Sequence, residues 1–279
     1  MATNQMRREA AKRKLERQQE RRVQRAKRRQ RIALITSIAV VVVVVIGFVL
    51  LSSLGGGEET DSAAASGAAT PTPTAEPAAA PGTCTFTATP EEPAAKPAPV
   101  PTIANAPTSG TAAVTLQTSS GPIPVTLDRA AAPCTVESFL SLAGAGFYND
   151  TPCHRLTTGE GLKVLQCGDP TGTGTGGPGY TIVDEPPTNL APTAGGQAVI
   201  YPRGTLAMAK TSAPNSGGSQ FFLVYADSTL PPEYTVFGTI SPEGLATVDQ
   251  IAQAGTDNAN GQGDGKPVTP VTIQTATAT

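Results

Sequence analysis

From Ile32 to Leu51 the chain runs 20 residues without a charge. At about 1.5 Å of rise per residue, a helix of that length spans roughly 30 Å, the thickness of a bilayer's hydrocarbon core. A secretory signal carries a shorter apolar stretch, about 7–15 residues, after a brief basic start. Here the preceding arm, residues 1–31, holds 13 of the chain's 20 Lys+Arg against only Glu9, Glu16 and Glu20. The nearest small-residue cleavage pattern, Ala63-Ala64-Ala65, lies well past the apolar run, and no cysteine follows the run directly. The expectation is an uncleaved transmembrane helix over 32–51 in a single-pass cell-membrane protein. Its basic arm, 1–31, would stay cytoplasmic by the positive-inside rule, and everything after Leu51 would lie outside. The arm's charge then serves topology or anionic lipid headgroups, and no nucleic-acid partner is expected.

Residues 52–110 read as a disordered linker, rich in Ala, Pro, Thr and Gly and poor in aromatics, so unable to bury a core. One island, "TCTFT" at 83–87, interrupts it with Cys84 and Phe86. From Thr111 the texture changes, and 111–279 is long enough for one core. "AAVTLQTSSGPIPVTL" alternates as two strands around a turn at Ser119–Pro122. Pro133 opens a helix with Val136, Phe139, Leu140 and Ala143 on one face, and Gly144 and Gly146 end it. Short strand-like runs follow: "LKVLQC", "GTLAMA", "SQFFLVY" and "TVFGTI". Ser241-Pro242 supplies the N-cap and first position of a second helix lined by Leu245, Val248 and Ile251. "VTPVTIQTA" reads as a closing strand. Many short strands with two isolated helices fit a mainly β, mostly antiparallel sheet closed on itself.

Most catalytic classes are excluded by residue inventory. Gly172, Gly174 and Gly177 spell G-x-G-x-x-G, yet Pro178-Gly179 follow at once and no helix opens there, so a dinucleotide loop fails. No Gly-Lys-Ser/Thr ends the run, so a P-loop fails too. The only histidine is His154, and no serine or cysteine sits in a nucleophile elbow. The four cysteines, at 84, 134, 153 and 167, form no C-x-x-C pair, so no metal site is expected and no cofactor is called for.

What remains is a set of motifs in a particular order: "FYNDTPCHRLTT", "LQCGDPTGTGTGGPGY", "GTLAMAKTSAPNSGGSQFFLVY" and "YTVFGTI". In that order they resemble the cyclophilin-type peptidyl-prolyl cis-trans isomerases over essentially all of 111–279, and more closely the membrane-anchored extracytoplasmic members of actinobacteria. The resemblance implies a closed eight-stranded antiparallel barrel with two capping helices. It implies catalysis of X-Pro rotation in proline-containing polypeptides, assisting protein folding outside the membrane, with the glycines serving a tight loop at the rim of a peptide groove. Such chemistry needs neither proton transfer nor a covalent intermediate, which suits the missing acids and bases.

Carried over position by position, the resemblance makes Arg155 the catalytic residue. Gln166 and Gln220 would bind peptide backbone, and Gly174 would bring its own backbone close. Phe222, Val164, Leu230 and the neighbourhood of Met208 would wall the proline pocket, with Tyr234 standing where many members carry His. Thr211 and Ser212 would line the adjoining edge, and His154 would be structural, bonded to backbone. Thr229 stands where many members carry Trp, so cyclosporin-like ligands are expected to bind weakly. The stretch between Gly159 and Gln166 is about three residues longer than usual. The family's strand layout implies a disulfide Cys153–Cys167, and the remaining pair, Cys84–Cys134, would then pin the linker island near the first helix. The rival reading is a proline-peptide-binding scaffold or holdase with little turnover.

Overall fold

The structure, a computed structural model, describes residues 82–278. The expected basic arm, the expected span at 32–51 and the first part of the linker lie outside the described residues. Among the described residues no helix is long and apolar enough to cross a membrane.

Among the described residues, fifteen strands and two helices follow one another. The strands are β1 (Phe86–Ala88), β2 (Thr111–Thr118), β3 (Gly121–Asp128), β4 (Thr151–Pro152), β5 (Arg155–Thr157), β6 (Val164–Cys167), β7 (Tyr180–Ile182) and β8 (Ala191–Pro192). Then come β9 (Val199–Tyr201), β10 (Thr205–Met208), β11 (Phe221–Val224), β12 (Ser228–Leu230), β13 (Val236–Ile240), β14 (Asp264–Gly265) and β15 (Thr272–Ala278). Helix α1 is Pro133–Gly144, between β3 and β4, and α2 is Pro242–Ala254, between β13 and β14.

The main sheet is antiparallel in every ladder and runs β14-β5-β6-β11-β10-β13-β3-β2-β15-β4. Its two ends meet through the chain: only Cys153 and His154 separate β4 from β5. Taking β4 and β5 as one interrupted strand, and setting aside two-residue β14, eight strands remain in order. The expected closed barrel is thus a curled sheet whose strand is interrupted at Cys153 and His154, where the Cys153 N–H still donates to the Val271 carbonyl at 2.9 Å. Pro152 has no N–H to donate there, which favours an interruption.

Strand alternation sets the core. Ile123, Val125 and Leu127 of β3 are fully buried while the residues between them are not. Phe139 of α1 sits at the centre of the inner face, its ring 4.8 Å from Tyr148, 5.3 Å from Phe221 and 5.4 Å from Phe237. In α1, Leu142 is fully buried where Leu140 is only partly so, one step round the helix from the expected stripe. The N-cap position of α1 is Ala132, which cannot cap. Glu185 replaces it, accepting from the backbone N–H of Cys134 and Thr135, both at 2.9 Å. Helix α2 is capped locally, Ser241 accepting from the Gly244 N–H at 3.0 Å.

The linker expectation does not hold for residues 82–110, which are packed onto the domain. The segment has few large apolar side chains, Phe86, Val100 and Ile103, and is instead tied down. Cys84 is disulfide-bonded to Cys134 of α1, and β1 pairs with β7. The backbone N–H groups of Thr89 and Ala95 donate to the carbonyls of Gly179 and Gly177, and Lys96 Nζ donates to the Asn149 carbonyl.

Candidate active site

One face of the curled sheet carries a row of side chains set by register. Arg155 of β5 lies opposite Gln166 of β6, Gln166 opposite Phe222 of β11, and Phe222 opposite Ala207 of β10. Directly opposed residues share a face, so these four line up across four strands on the side away from the main core. Their chain neighbours Leu156, Leu165, Phe221, Leu223 and Leu206 point inward into that core. The alternation separates the two consecutive phenylalanines: Phe221 packs with Phe139, and Phe222 joins a second, smaller apolar cluster with Val164, Tyr201, Ala207 and Val224. Leu230 and Tyr234 pack against that cluster, Tyr234 edge-on to Phe222 with centroids 5.6 Å apart. Tyr201 holds the loop carrying Tyr234 by accepting from its backbone N–H at 3.1 Å. Met208 belongs to the main core, and the wall position expected near it is taken by Ala207.

Beside the apolar cluster runs a polar line. Arg155 donates from Nε to Asp264 Oδ1 at 2.9 Å and from Nη2 to Oδ2 at 2.7 Å, and reaches Gln166 Oε1 from Nη1 at 3.4 Å. Gln166 Nε2 donates to Gln220 Oε1 at 3.0 Å, and Gln220 Nε2 donates to the carbonyls of Gly174 and Gly176, both at 3.0 Å. The hydrogen bond from Arg155 holds the Asp264 carboxyl below the usual carboxylate range, outweighing burial, and the same bond pushes Arg155 up. Asp264, which the sequence reading does not single out, completes this polar line. It lies 109 positions from Arg155 in a Gly-rich loop, and only the pairing of β14 with β5 brings them together.

The glycine loop does cradle an anion, and the anion is the protein's own. Asp169, fully buried, accepts from the backbone N–H of Thr171 at 2.7 Å, Thr173 at 3.1 Å and Gly174 at 2.7 Å, and from the Thr171 hydroxyl. Burial pushes its carboxyl up, but these donors together hold it below the usual range. Two glycines are required by this geometry. Gly174 has φ +83°, and a Cβ on Gly176 would come within 2.1 Å of Asp169 Oδ1.

Two cavities flank the polar line and share Gln166 and Gly174. One, of about 450 Å³, is lined by His154, Arg155, Asn260 and Lys266. The other, of about 640 Å³, is lined by Gln220 and Thr211. Ser212 lines neither and is exposed. His154 lies against Gly174, and its Nδ1 is buried with no hydrogen-bond partner, so the expected backbone bond is absent. Burial holds its imidazole below the usual histidine range, so it is neutral at pH 7. Cys153–Cys167 joins the stretch before Arg155 to the end of β6, where Gln166 sits. Among the described residues no cluster of His, Cys, Asp and Glu is placed to hold a metal.

The model of the family described as cyclophilin type peptidyl-prolyl cis-trans isomerase/CLD matches residues 113–278. The chain is 56% identical over 185 residues to the probable peptidyl-prolyl cis-trans isomerase B of Mycobacterium leprae (strain TN), a match covering 65% of this chain and 62% of that protein. It is 51% identical over 194 residues to the protein of the same description in Mycobacterium tuberculosis (strain ATCC 25618 / H37Rv), covering 68% and 62%. Against the peptidyl-prolyl cis-trans isomerase of Helicobacter pylori (strain ATCC 700392 / 26695), identity is 43% over 145 residues, covering 51% of this chain and 82% of that one. The chain thus spans less than two thirds of the length of the mycobacterial relatives it matches.

Proposed function

The chain belongs to the cyclophilin-type peptidyl-prolyl cis-trans isomerases, and from that premise we propose that it accelerates rotation about X-Pro bonds in polypeptides, with Arg155 as the catalytic residue. One observation carries this reading: a guanidinium clamped on two donors by Asp264 stands in register beside Gln166 and Phe222 on one face of the sheet. The uncatalysed rotation must break amide resonance, a barrier of about 18–20 kcal/mol, and takes tens to hundreds of seconds. The catalyst has to hold the twisted amide better than either planar form. The apolar group around Phe222 takes the proline ring. Gln166 and Gln220 hold backbone on one side. The Nη1 donors of Arg155, engaged only by the 3.4 Å contact to Gln166, turn to the prolyl carbonyl and the nitrogen as it pyramidalises. No proton changes hands.

The membrane setting is part of the same proposal. The 20-residue uncharged run supports a single-pass anchor, and two disulfides with no free cysteine support an oxidising compartment outside the cytoplasm. There the enzyme would assist the folding of proline-containing chains. The test is two-dimensional exchange NMR on a short X-Pro peptide. Cis-trans exchange that speeds up with catalytic amounts of protein supports the reading, and binding with no gain in exchange supports the scaffold instead.

A further inference from the structure

The 640 Å³ cavity has one wall that the family match, beginning at residue 113, does not include: Thr89, Glu92, Pro93 and Ala95 of the 82–110 strap. This wall is fixed. Cys84–Cys134 and the β1–β7 ladder anchor the strap upstream, and Thr89 and Ala95 each hydrogen-bond, at 2.9 Å, to a carbonyl of the glycine loop that forms the opposite rim. Between those two bonds the Glu92 N–H donates back to the Thr89 carbonyl at 2.9 Å, closing a turn that presents Glu92 at the mouth. The cavity opens onto the site through Gln166, Gly174 and Gln220.

Its charge is one-sided. Lys210 also lines it, but its ammonium is 2.9 Å from Asp184 and the side chain is only 8% exposed, so its charge is already met. Glu92 is exposed and makes no ion pair among the described residues. The rest of the lining, small and polar residues with Tyr180 and Ala209, carries no further charge. We infer that the strap completes the substrate-binding surface, and that Glu92 makes this cavity prefer a cationic side chain, Lys or Arg, flanking the isomerising X-Pro bond. The inference rests on the peptide-binding reading of the site and adds a specificity determinant to it.

The test uses the full chain in detergent and two proline peptides that differ only in a flanking Lys or Glu. Affinities are measured by titration, so the result does not depend on turnover. The wild type is expected to favour the Lys peptide about three- to tenfold at low salt, with the ratio shrinking toward 0.5 M salt as screening sets in. The ratio should fall toward one in Glu92→Gln and invert in Glu92→Lys. A Lys-to-Glu ratio in Glu92→Lys equal to that of the wild type overturns the inference. Exchange NMR on the same samples separates the two claims. Absent turnover with a ratio that still follows residue 92 counts against the isomerase reading and for the strap. Normal turnover with an unmoved ratio counts against the strap alone.

Discussion

Asp264 grips Arg155 on two donors at once, Nε at 2.9 Å and Nη2 at 2.7 Å, across 109 residues of chain. Both side chains are about a third exposed or less, 35% and 27%, so the pair contributes little to stability, about 0–1 kcal/mol. Its value is geometric. A bidentate carboxylate fixes the plane of the guanidinium and leaves the Nη1 side to the substrate. Asp264→Asn should therefore lower kcat several-fold with KM nearly unchanged and the melting temperature within about two degrees. Asp264→Glu should recover part of the loss. Equal kcat in wild type and Asp264→Asn would show that Arg155 needs no such positioning.

His154 gives the stability a pH signature. Burial lowers its folded pKa below the unfolded value of about 6.5. The folded state then binds fewer protons than the unfolded state between the two values. Stability is fully present above the unfolded value and falls as pH drops through it toward the folded one. The melting temperature should decline from pH 7.5 to 5.5 in the wild type, and that decline should flatten in His154→Asn. Turnover should stay level between pH 7 and 9, since no step transfers a proton. An unchanged decline in His154→Asn would remove the histidine from this account.

The strap is held by covalent and main-chain bonds, so opening Cys84–Cys134 should cost more than its surface position implies. Closing a loop of 50 residues removes unfolded-state entropy worth about 4 kcal/mol on the chain-entropy account. Cys84→Ser with Cys134→Ser should lose a few kcal/mol in denaturant unfolding and make the peptide bonds near Thr89–Ala95 accessible to protease. Non-reducing peptide mapping of the wild type should return the pairs 84–134 and 153–167, and any other pairing would contradict the fold at these points.

Thr229 is exposed on β12, with its backbone N–H donating to the Gly161 carbonyl at 2.8 Å. An indole fits there without disturbing the core, adding apolar surface and a donor. Thr229→Trp should bind a cyclosporin-like ligand about tenfold more tightly than the wild type in fluorescence titration. Equal affinities would mean that the ligand surface lies elsewhere.

Much of the architecture was legible in the sequence. The β2–β3 hairpin and both helices follow from period-2 and 3.6 patterning with Pro at the helix starts, and the ordered motifs picked out Arg155, Gln166 and Phe222 of the cross-strand row but not Ala207. What was not legible lies where structure comes from partners distant in sequence. β7, β8 and β9 are two or three residues long, too short to show a period. The strap looks like linker because its composition buries little, and it is ordered by a disulfide and bonds to the glycine loop. Asp264 is one acid in a turn-rich segment until β14 pairs with β5. The glycine run reads as a tight loop and not as a phosphate site; that its N–H groups converge on the buried Asp169 was not legible, because the anion lies inside the same motif.

The central claim is that Arg155, held beside Phe222, stabilises the twisted X-Pro amide. Exchange NMR on one X-Pro peptide, with wild type and Arg155→Ala at equal concentration, tests it most directly. The account predicts that the variant stays folded, still binds the peptide within a few-fold, and loses at least about tenfold in exchange rate, equivalent to about 1.4 kcal/mol of transition-state stabilisation. Wild-type exchange rates in a folded Arg155→Ala protein would contradict it.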